Sequence, residues 1–200
     1  MSTILTSLRN TVITGFILAI VLFFVFVSIG ATSMENVMGF HQYLFRYLHV
    51  ISGVMWIGLL WYFNFVQIPS MPKIPDEQKP AIGKVIAPTA LFWFRYAALA
   101  TVITGLLLAY MNGYIGQALM LGGAEGVPQH RNIGIGMWLG LIMAFNVWFI
   151  ICPNQQKALG LVDATPDEKK AAARMAMLTS RVNTVLSVPM LYAMVSAQNI

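Results

Sequence analysis

The sequence has few charged residues, which make up 10% of its 200 positions, whereas 58% of the positions are hydrophobic. Soluble domains carry about 25% charged residues, so this composition predicts a membrane protein surrounded by a lipid bilayer. The net charge of +5 comes from lysines and arginines scattered along the chain. A nucleic-acid-binding protein gathers such residues on one soluble face, so we expect no nucleic-acid partner.

Cysteine is almost absent as well. The single Cys152 excludes a disulfide framework and the CxxCH segment that attaches c-type haem. The sequence also lacks HExxH and GxSxG motifs and a phosphate-binding loop. All seven acidic residues lie in loops or at helix starts, so the intramembrane carboxylates of a proton relay are missing from the sequence.

What the sequence does contain is a set of long apolar runs, each close to the ~20 residues that a membrane-spanning helix needs. We predict an all-α, polytopic membrane bundle of five transmembrane helices that forms a single membrane domain over residues 1–200. The fifth run contains arginines, so a helix lying on the membrane surface is the alternative there. The predicted spans are 12–29, 42–68, 87–111, 133–152 and 172–196.

The loops between these runs differ in basic residues. Lysines follow the second and fourth runs, whereas the loop after the first run has neither lysine nor arginine. The positive-inside rule then places the N-terminus in the cytoplasm and the C-terminus outside. The proline-rich segment Pro69–Lys84 is predicted to be an extended, stiff connector.

The second span carries a polar stripe. At about 100° per residue its polar side chains fall in one arc, and such groups face a protein interior or a cavity. His49 is a natural axial ligand for haem iron, and Gly53, one turn further, leaves room for a flat ligand. The alternatives are a histidine bonded to a neighbouring carbonyl and a glycine at a helix crossing. The arc contains Arg46, His49, Gly53, Trp56, Leu60, Asn64 and Gln67.

Three arginines, Arg46, Arg95 and Arg181, lie within predicted spans that contain no carboxylate to pair with them. An isolated charge in a membrane is costly. We therefore expect these arginines to bind backbone carbonyls, lipid phosphates or the carboxylates of a ligand, such as haem propionates or an anionic substrate. Asn183 adds an amide to the polar face of the fifth span and is assigned to the same cofactor site.

Two kinds of residue are candidates for a second iron ligand. His130 lies at the start of the fourth span and is assigned with His49 as a metal ligand, although an interfacial histidine is the alternative. The methionines include possible ligands such as Met55 and Met143, but methionine in an apolar helix usually packs.

Four segments resemble the membrane domain of the bacterial urate hydroxylase family, also described as the urate oxidase N-terminal domain. They are HVISGVMWIGLLWYFNFVQ at His49–Gln67, FRYAAL at Phe94–Leu99, FNVWFIICPNQQKALG at Phe145–Gly160 and RVNTVLSVPMLYAM at Arg181–Met194. A looser similarity joins the chain to membrane haem proteins of the protoporphyrinogen-oxidase type. The positions that match the family are His49, Gly53, Trp56, Asn64, Gln67, Asn146, Asn154, Gln155, Arg181 and Asn183.

The resemblance implies a membrane module that oxidises urate and passes electrons to a fused cytochrome c. Because this sequence has no CxxCH segment, we expect a short form whose electron partner is a separate protein. We predict a b-type haem redox protein, an oxidoreductase if it is an enzyme, that exchanges electrons with a periplasmic cytochrome c or a larger membrane redox complex. The alternatives are a non-catalytic helix-packing subunit of a respiratory or oxidase complex, and a small-anion transporter.

Overall fold

The computed structural model describes residues 2–30, 37–122 and 126–199, and this part of the chain is helical, with no strand. The all-α fold class is therefore confirmed for the described residues. Three of the long helices contain a π-helical segment, in which hydrogen bonds join residues five apart.

The six helices follow one another in chain order. A turn at Ser2–Leu5 precedes α1, which is Leu8–Ser28; α2 comprises Val37–Trp61, the π-helical Tyr62–Gln67, Ile68–Ser70 and the 3-10 turn Met71–Lys73. The third, α3, comprises Lys79–Ala81, the π-helical Ile82–Ile86 and Ala87–Met111. The others are α4, Ile115–Leu119; α5, formed by Pro128–Phe145, the π-helical Asn146–Ile151 and Cys152–Ala158; and α6, Pro166–Asn199.

Four helices of the described chain are long and apolar enough to cross a membrane. They are α1, α2 from Gly39 onward, α3 and α5, and they contain the first four predicted spans. The fifth predicted span lies in α6, which is not one of the four. Its N-terminal half carries charged residues, among them Asp167, Glu168 and Arg174, which lower its mean hydropathy.

The chain divides into two compact units, Met1–Tyr43 and Leu44–Ile200. In the first unit no residue of α1 is buried, and the Phe23 ring lies 5.4 Å from the ring of Phe40 and 5.8 Å from that of Tyr43. The second unit contains the hydrophobic core. A single domain over the whole chain remains a prediction.

The core of the second unit confirms the orientation predicted for most of the α2 stripe. Trp56 and Leu60 are almost completely buried, whereas Val54 on another face of α2 is 69% exposed. The Phe63 ring meets the Phe94 ring of α3 edge to face, with centroids 5.6 Å apart. Arg46, at the start of the stripe, is exposed.

Each π-helical segment ends two residues before a proline. The amides of Ile68, Ala87 and Cys152 bond carbonyls five residues back, and Pro69, Pro88 and Pro153 follow them. A proline ring clashes with the carbonyl four residues earlier and cannot donate to it. A widened turn removes that clash and lets the helix continue, as helices in membranes often do.

The prediction of an extended connector over Pro69–Lys84 is therefore wrong. Helical structure continues to Lys73 and resumes at Lys79, so only residues 74–78 lie outside it. The widened turn accommodates Pro69, and Pro80 lies in the first turn of its helix, where no amide hydrogen is needed. A salt bridge of 2.6 Å between Lys79 and Asp76 closes the connecting turn and lowers the pKa of the Asp76 carboxyl.

A capping box begins α6. The Glu168 carboxylate accepts hydrogen bonds from the backbone amide of Thr165 at 2.7 Å and from its hydroxyl at 3.0 Å. In return, the Glu168 amide donates to the Thr165 hydroxyl at 3.3 Å. This reciprocal arrangement satisfies two amides at the helix start that would otherwise lack partners.

The capping box predicts a pH dependence of stability. Its hydrogen bonds lower the pKa of Glu168 from the ordinary value of 4.5. The carboxylate therefore stabilises the fold above pH 4.5, and this contribution is lost as the pH falls through the lowered folded pKa. Glu168→Gln should flatten the acid limb of a thermal unfolding profile in detergent, and Thr165→Ala should cost about 1 kcal/mol. Asp167→Asn is the control, and an equal flattening there would contradict the assignment.

Candidate functional site

His49 of α2 is held against α3 through one ring nitrogen. Its Nδ1 lies 2.9 Å from the carbonyl oxygen of Thr101 and 3.3 Å from the hydroxyl of Thr104. A carbonyl only accepts hydrogen bonds, so Nδ1 carries the hydrogen and donates it. Nε2 then keeps its lone pair, and no hydrogen bond to it is found among the described residues.

Gly105 lets the imidazole approach α3 closely. A Cβ atom at Gly105 would lie 2.8 Å from Cε1 and 3.1 Å from Nδ1 of His49. Any larger residue there would push the ring away from the Thr101 carbonyl. Gly53, which the sequence analysis assigned to the cofactor site, makes no such close contact. A Cβ atom there would have the Thr101 methyl carbon as its nearest neighbour, at 3.9 Å. Gly53 therefore does not need to be glycine for α2 and α3 to approach each other, and its predicted role beside a ligand remains a prediction.

A cavity of about 640 Å³ lies beside His49 within the second unit, and we call it the His49 cavity. This volume falls in the range of small-molecule and cofactor sites, about 300–1,000 Å³. Its walls come from α2, α3, α5 and α6, and most of the lining is apolar. Polar side chains gather where α2 begins and α6 ends: Arg46, Tyr114 and Gln198.

Trp56 and Arg46 give this cavity polar groups that a ligand could bind. The indole Nε1 of Trp56 is buried without a hydrogen-bond partner in the described part of the chain. Burial raises the pKa of Tyr114, which lies between α3 and α4, and the guanidinium of Arg46 opposes that shift. The cavity thus offers an unused donor deep inside and a positive charge near one end.

Four of the seven residues assigned to the cofactor site line this one cavity: Arg46, His49, Gly53 and Trp56. The other three do not line it. Arg181 is exposed on α6, and Arg95 and Asn183 lie elsewhere in the bundle.

Arg95 is held by aromatic faces. Its guanidinium carbon lies 4.9 Å from the ring centroid of Tyr96 and 5.7 Å from that of Trp148, both within cation–π range. The indole of Trp148 also donates to the Arg95 carbonyl at 3.1 Å. The Nε of Arg95 is buried with no hydrogen-bond partner in the part of the chain described.

Asn183 joins α6 to α5. It is fully buried, its amide nitrogen donates to the Met143 carbonyl at 2.9 Å, and its oxygen accepts from Asn146 at 2.8 Å. Asn64 of α2 makes a similar contact, since its amide donates to the Ser180 hydroxyl at 2.8 Å. These two family-matching asparagines therefore hold helices together.

His130 does not line the His49 cavity. Its ring stacks on Tyr114, with centroids 5.6 Å apart, and it is Tyr114 that lines the cavity. Its Nδ1 is buried without a hydrogen-bond partner in the described chain. The described residues also contain no cluster of three or more His, Cys, Asp or Glu side chains around a possible metal.

Sequence reasoning missed the α3 side of the site. Thr101 and Thr104 orient His49, and Gly105 makes room for its ring. The signal in the sequence was TVITG, which places two hydroxyls and a glycine within one helical turn. Nothing in that pattern alone identifies the partner helix.

The apolar helices indicate a helical membrane protein, and its histidine lies beside a ligand-sized cavity that is partly open, since Val54 and Val195 line it and are 69% and 62% exposed. Residues 128–199, which include all of α5 and α6, match the family described as urate oxidase N-terminal. This match confirms the predicted resemblance over these residues. It contains two of the four motif segments, whereas His49–Gln67 precedes it. No curated protein and no solved structure matches the chain.

Proposed function

We propose that the protein is a membrane-embedded redox protein that binds haem b in the His49 cavity, with His49 as an axial ligand. One observation carries the proposal: Nδ1 of His49 is committed to the Thr101 carbonyl, while the cavity lies beside the same ring. Histidines that bind metals almost always donate their other ring hydrogen to a carbonyl or carboxylate, which fixes the tautomer and the ring.

The residues of the cavity fit this group. Gly105 allows the ring to lie close to α3, and the unused indole hydrogen of Trp56 could donate to an acceptor on the ligand. Arg46 lines the cavity, and a guanidinium binds carboxylates such as propionates well. When bound, haem supplies one-electron chemistry. The chain holds it, orients it and excludes water through the apolar walls.

We also propose that α6 is the fifth span, with the N-terminus in the cytoplasm and the C-terminus outside. In support, α6 runs antiparallel along α5, since Asn183 meets Asn146 and Met194 meets Gly136. A Cβ at Gly83 would lie 3.6 Å from Leu159, so the α2–α3 and α5–α6 connections lie at the same end of the second unit. The helix ends beside these two connections contain lysines. The positive-inside rule assigns that end to the cytoplasm.

The proposed role is electron transfer between the cavity and a separate periplasmic carrier, in a bacterial inner membrane. The family match supports an oxidoreductase rather than a transporter, and a urate-like molecule is the substrate that the family suggests. The proposed electron partner is a separate periplasmic cytochrome c or a larger membrane redox complex.

A second candidate function is a non-catalytic subunit that packs within a larger membrane complex. The observation in its favour is α1, an apolar helix none of whose residues is buried. Its apolar side chains are free to meet lipid or the helices of another subunit. This candidate predicts co-purification with larger redox subunits at a fixed stoichiometry, without haem in this chain.

An absorbance spectrum of the detergent-purified protein, oxidised and then reduced, separates these two functions. The proposed haem site predicts a Soret band that shifts on reduction, together with the sharp visible bands of a reduced b-type haem. Colourless protein, even after expression with added haem precursor, would exclude the haem proposal and leave the packing subunit.

A further inference from the structure

Three methionines line the His49 cavity, and a thioether is an established axial ligand of haem iron. Met137 comes from α5, and Met190 and Met194 come from α6, whereas His49 is fixed against α3. The two methionines considered from the sequence do not line the cavity. Met55 is 45% exposed on α2, and Met143 is fully buried in the core.

Met194 differs from the other two in how its side chain is placed. A Cβ at Gly136 would lie 3.2 Å from each of Cγ, Sδ and Cε of Met194, so the whole side chain rests on that glycine. Met190 and Met137 are buried members of hydrophobic clusters. Met194 is only partly buried and packs against both clusters, so its side chain is the least enclosed of the three.

We propose, resting on the proposed haem site, that the thioether of Met194 is the second axial ligand, since Met194 lines the same cavity as His49 and comes from a different helix. His130, the other candidate, is separated from the cavity by Tyr114. A histidine and a methionine together leave no open coordination position. Such a site transfers electrons, does not bind oxygen, and has a raised reduction potential.

The test is the coordination state of haem in Met194→Leu, a substitution that nearly conserves volume. We expect the wild-type protein to be six-coordinate and low-spin, and slow to bind carbon monoxide when reduced. Met194→Leu should keep its haem, become five-coordinate and high-spin by resonance Raman spectroscopy, bind carbon monoxide rapidly and show a lower midpoint potential. Met190→Leu and Met137→Leu also change the cavity lining and can alter haem affinity, but they should keep the six-coordinate, low-spin spectrum of the wild type.

A pair of glycines provides a matched control. Gly136→Ala places a methyl group against the Met194 sulfur and should produce part of the same change in spin state. Gly116→Ala on α4 has no atom within 4 Å of its new Cβ, does not line the cavity and should have no effect. A haem-containing Met194→Leu protein with the wild-type spectrum would overturn the assignment of Met194 but not the haem site. A change to five-coordinate haem in Met190→Leu or Met137→Leu would do the same. Haem-free wild-type protein would overturn the haem site itself.

Discussion

Replacing Gly105 by alanine is expected to lower haem affinity about ten- to a hundredfold, the usual cost of disturbing a residue that orients a metal ligand. The new Cβ would lie 2.8 Å from Cε1 of His49. The imidazole is the end of a flexible side chain, so the ring should move away and the protein should stay folded. The bond between Nδ1 and the Thr101 carbonyl should be lost, and the ring should lose its fixed orientation.

Gly53→Ala is the matched control for this variant. Its new Cβ would meet only the Thr101 methyl carbon, at 3.9 Å, so the hydrogen bond of His49 should be kept. Because Gly53 lines the cavity, the control for haem affinity is Gly116→Ala, which has no atom within 4 Å of its new Cβ and should stay within about twofold of wild type. Haem titration into the purified apo-proteins measures both affinities. A second readout needs no haem: the Nδ1–H signal of His49 in ¹⁵N-histidine-labelled protein should be protected in Gly53→Ala and lost in Gly105→Ala. Equal behaviour of the two variants would contradict the geometry assigned to His49.

Replacing Asn183 by alanine is expected to destabilise the bundle by about 1–3 kcal/mol, the cost of leaving a buried polar group without its partner. Asn183 is fully buried and accepts the amide hydrogen of Asn146 at 2.8 Å. Removing it leaves the Asn146 donor without an acceptor inside the α5–α6 interface. Unfolding of the purified protein in mixed detergent micelles measures the loss.

A matched variant and a double mutant make this prediction specific. Asn154 donates only to the Ile150 carbonyl of its own helix, at 2.8 Å, so Asn154→Ala should cost much less than Asn183→Ala. The double mutant Asn146→Ala/Asn183→Ala should be more stable than the sum of the single losses predicts, because both partners have been removed. Strict additivity would mean that the two amides do not interact.

Periodicity predicted the parts of this structure that depend on one helix at a time. The buried face of α2 follows from the 100° repeat, and Trp56 and Leu60 occupy it as expected. His49 and Gly53 were placed on the same stripe by the same rule, and both line the cavity. The local pattern is sufficient here because each face of an apolar helix is turned either toward the protein interior or toward its surroundings.

The contacts between helices were not predictable in this way. Asn183 was assigned to a cofactor, but the register of α6 against α5 places it between Met143 and Asn146. Gly105 and Thr101 became important only because α3 packs beside His49. The predicted extended connector was wrong for a different reason. A widened turn accommodates Pro69 without ending the helix, and amino-acid composition does not indicate such a turn.

The most direct test of the haem site is the ratio of haem to polypeptide in the wild-type protein and in His49→Ala, both purified from cells supplied with haem precursor. We expect one haem per chain in the wild type and none in His49→Ala, with equal helical content by circular dichroism. Equal haem in the two proteins, or a wild type without haem, would contradict the role assigned to the free nitrogen of His49.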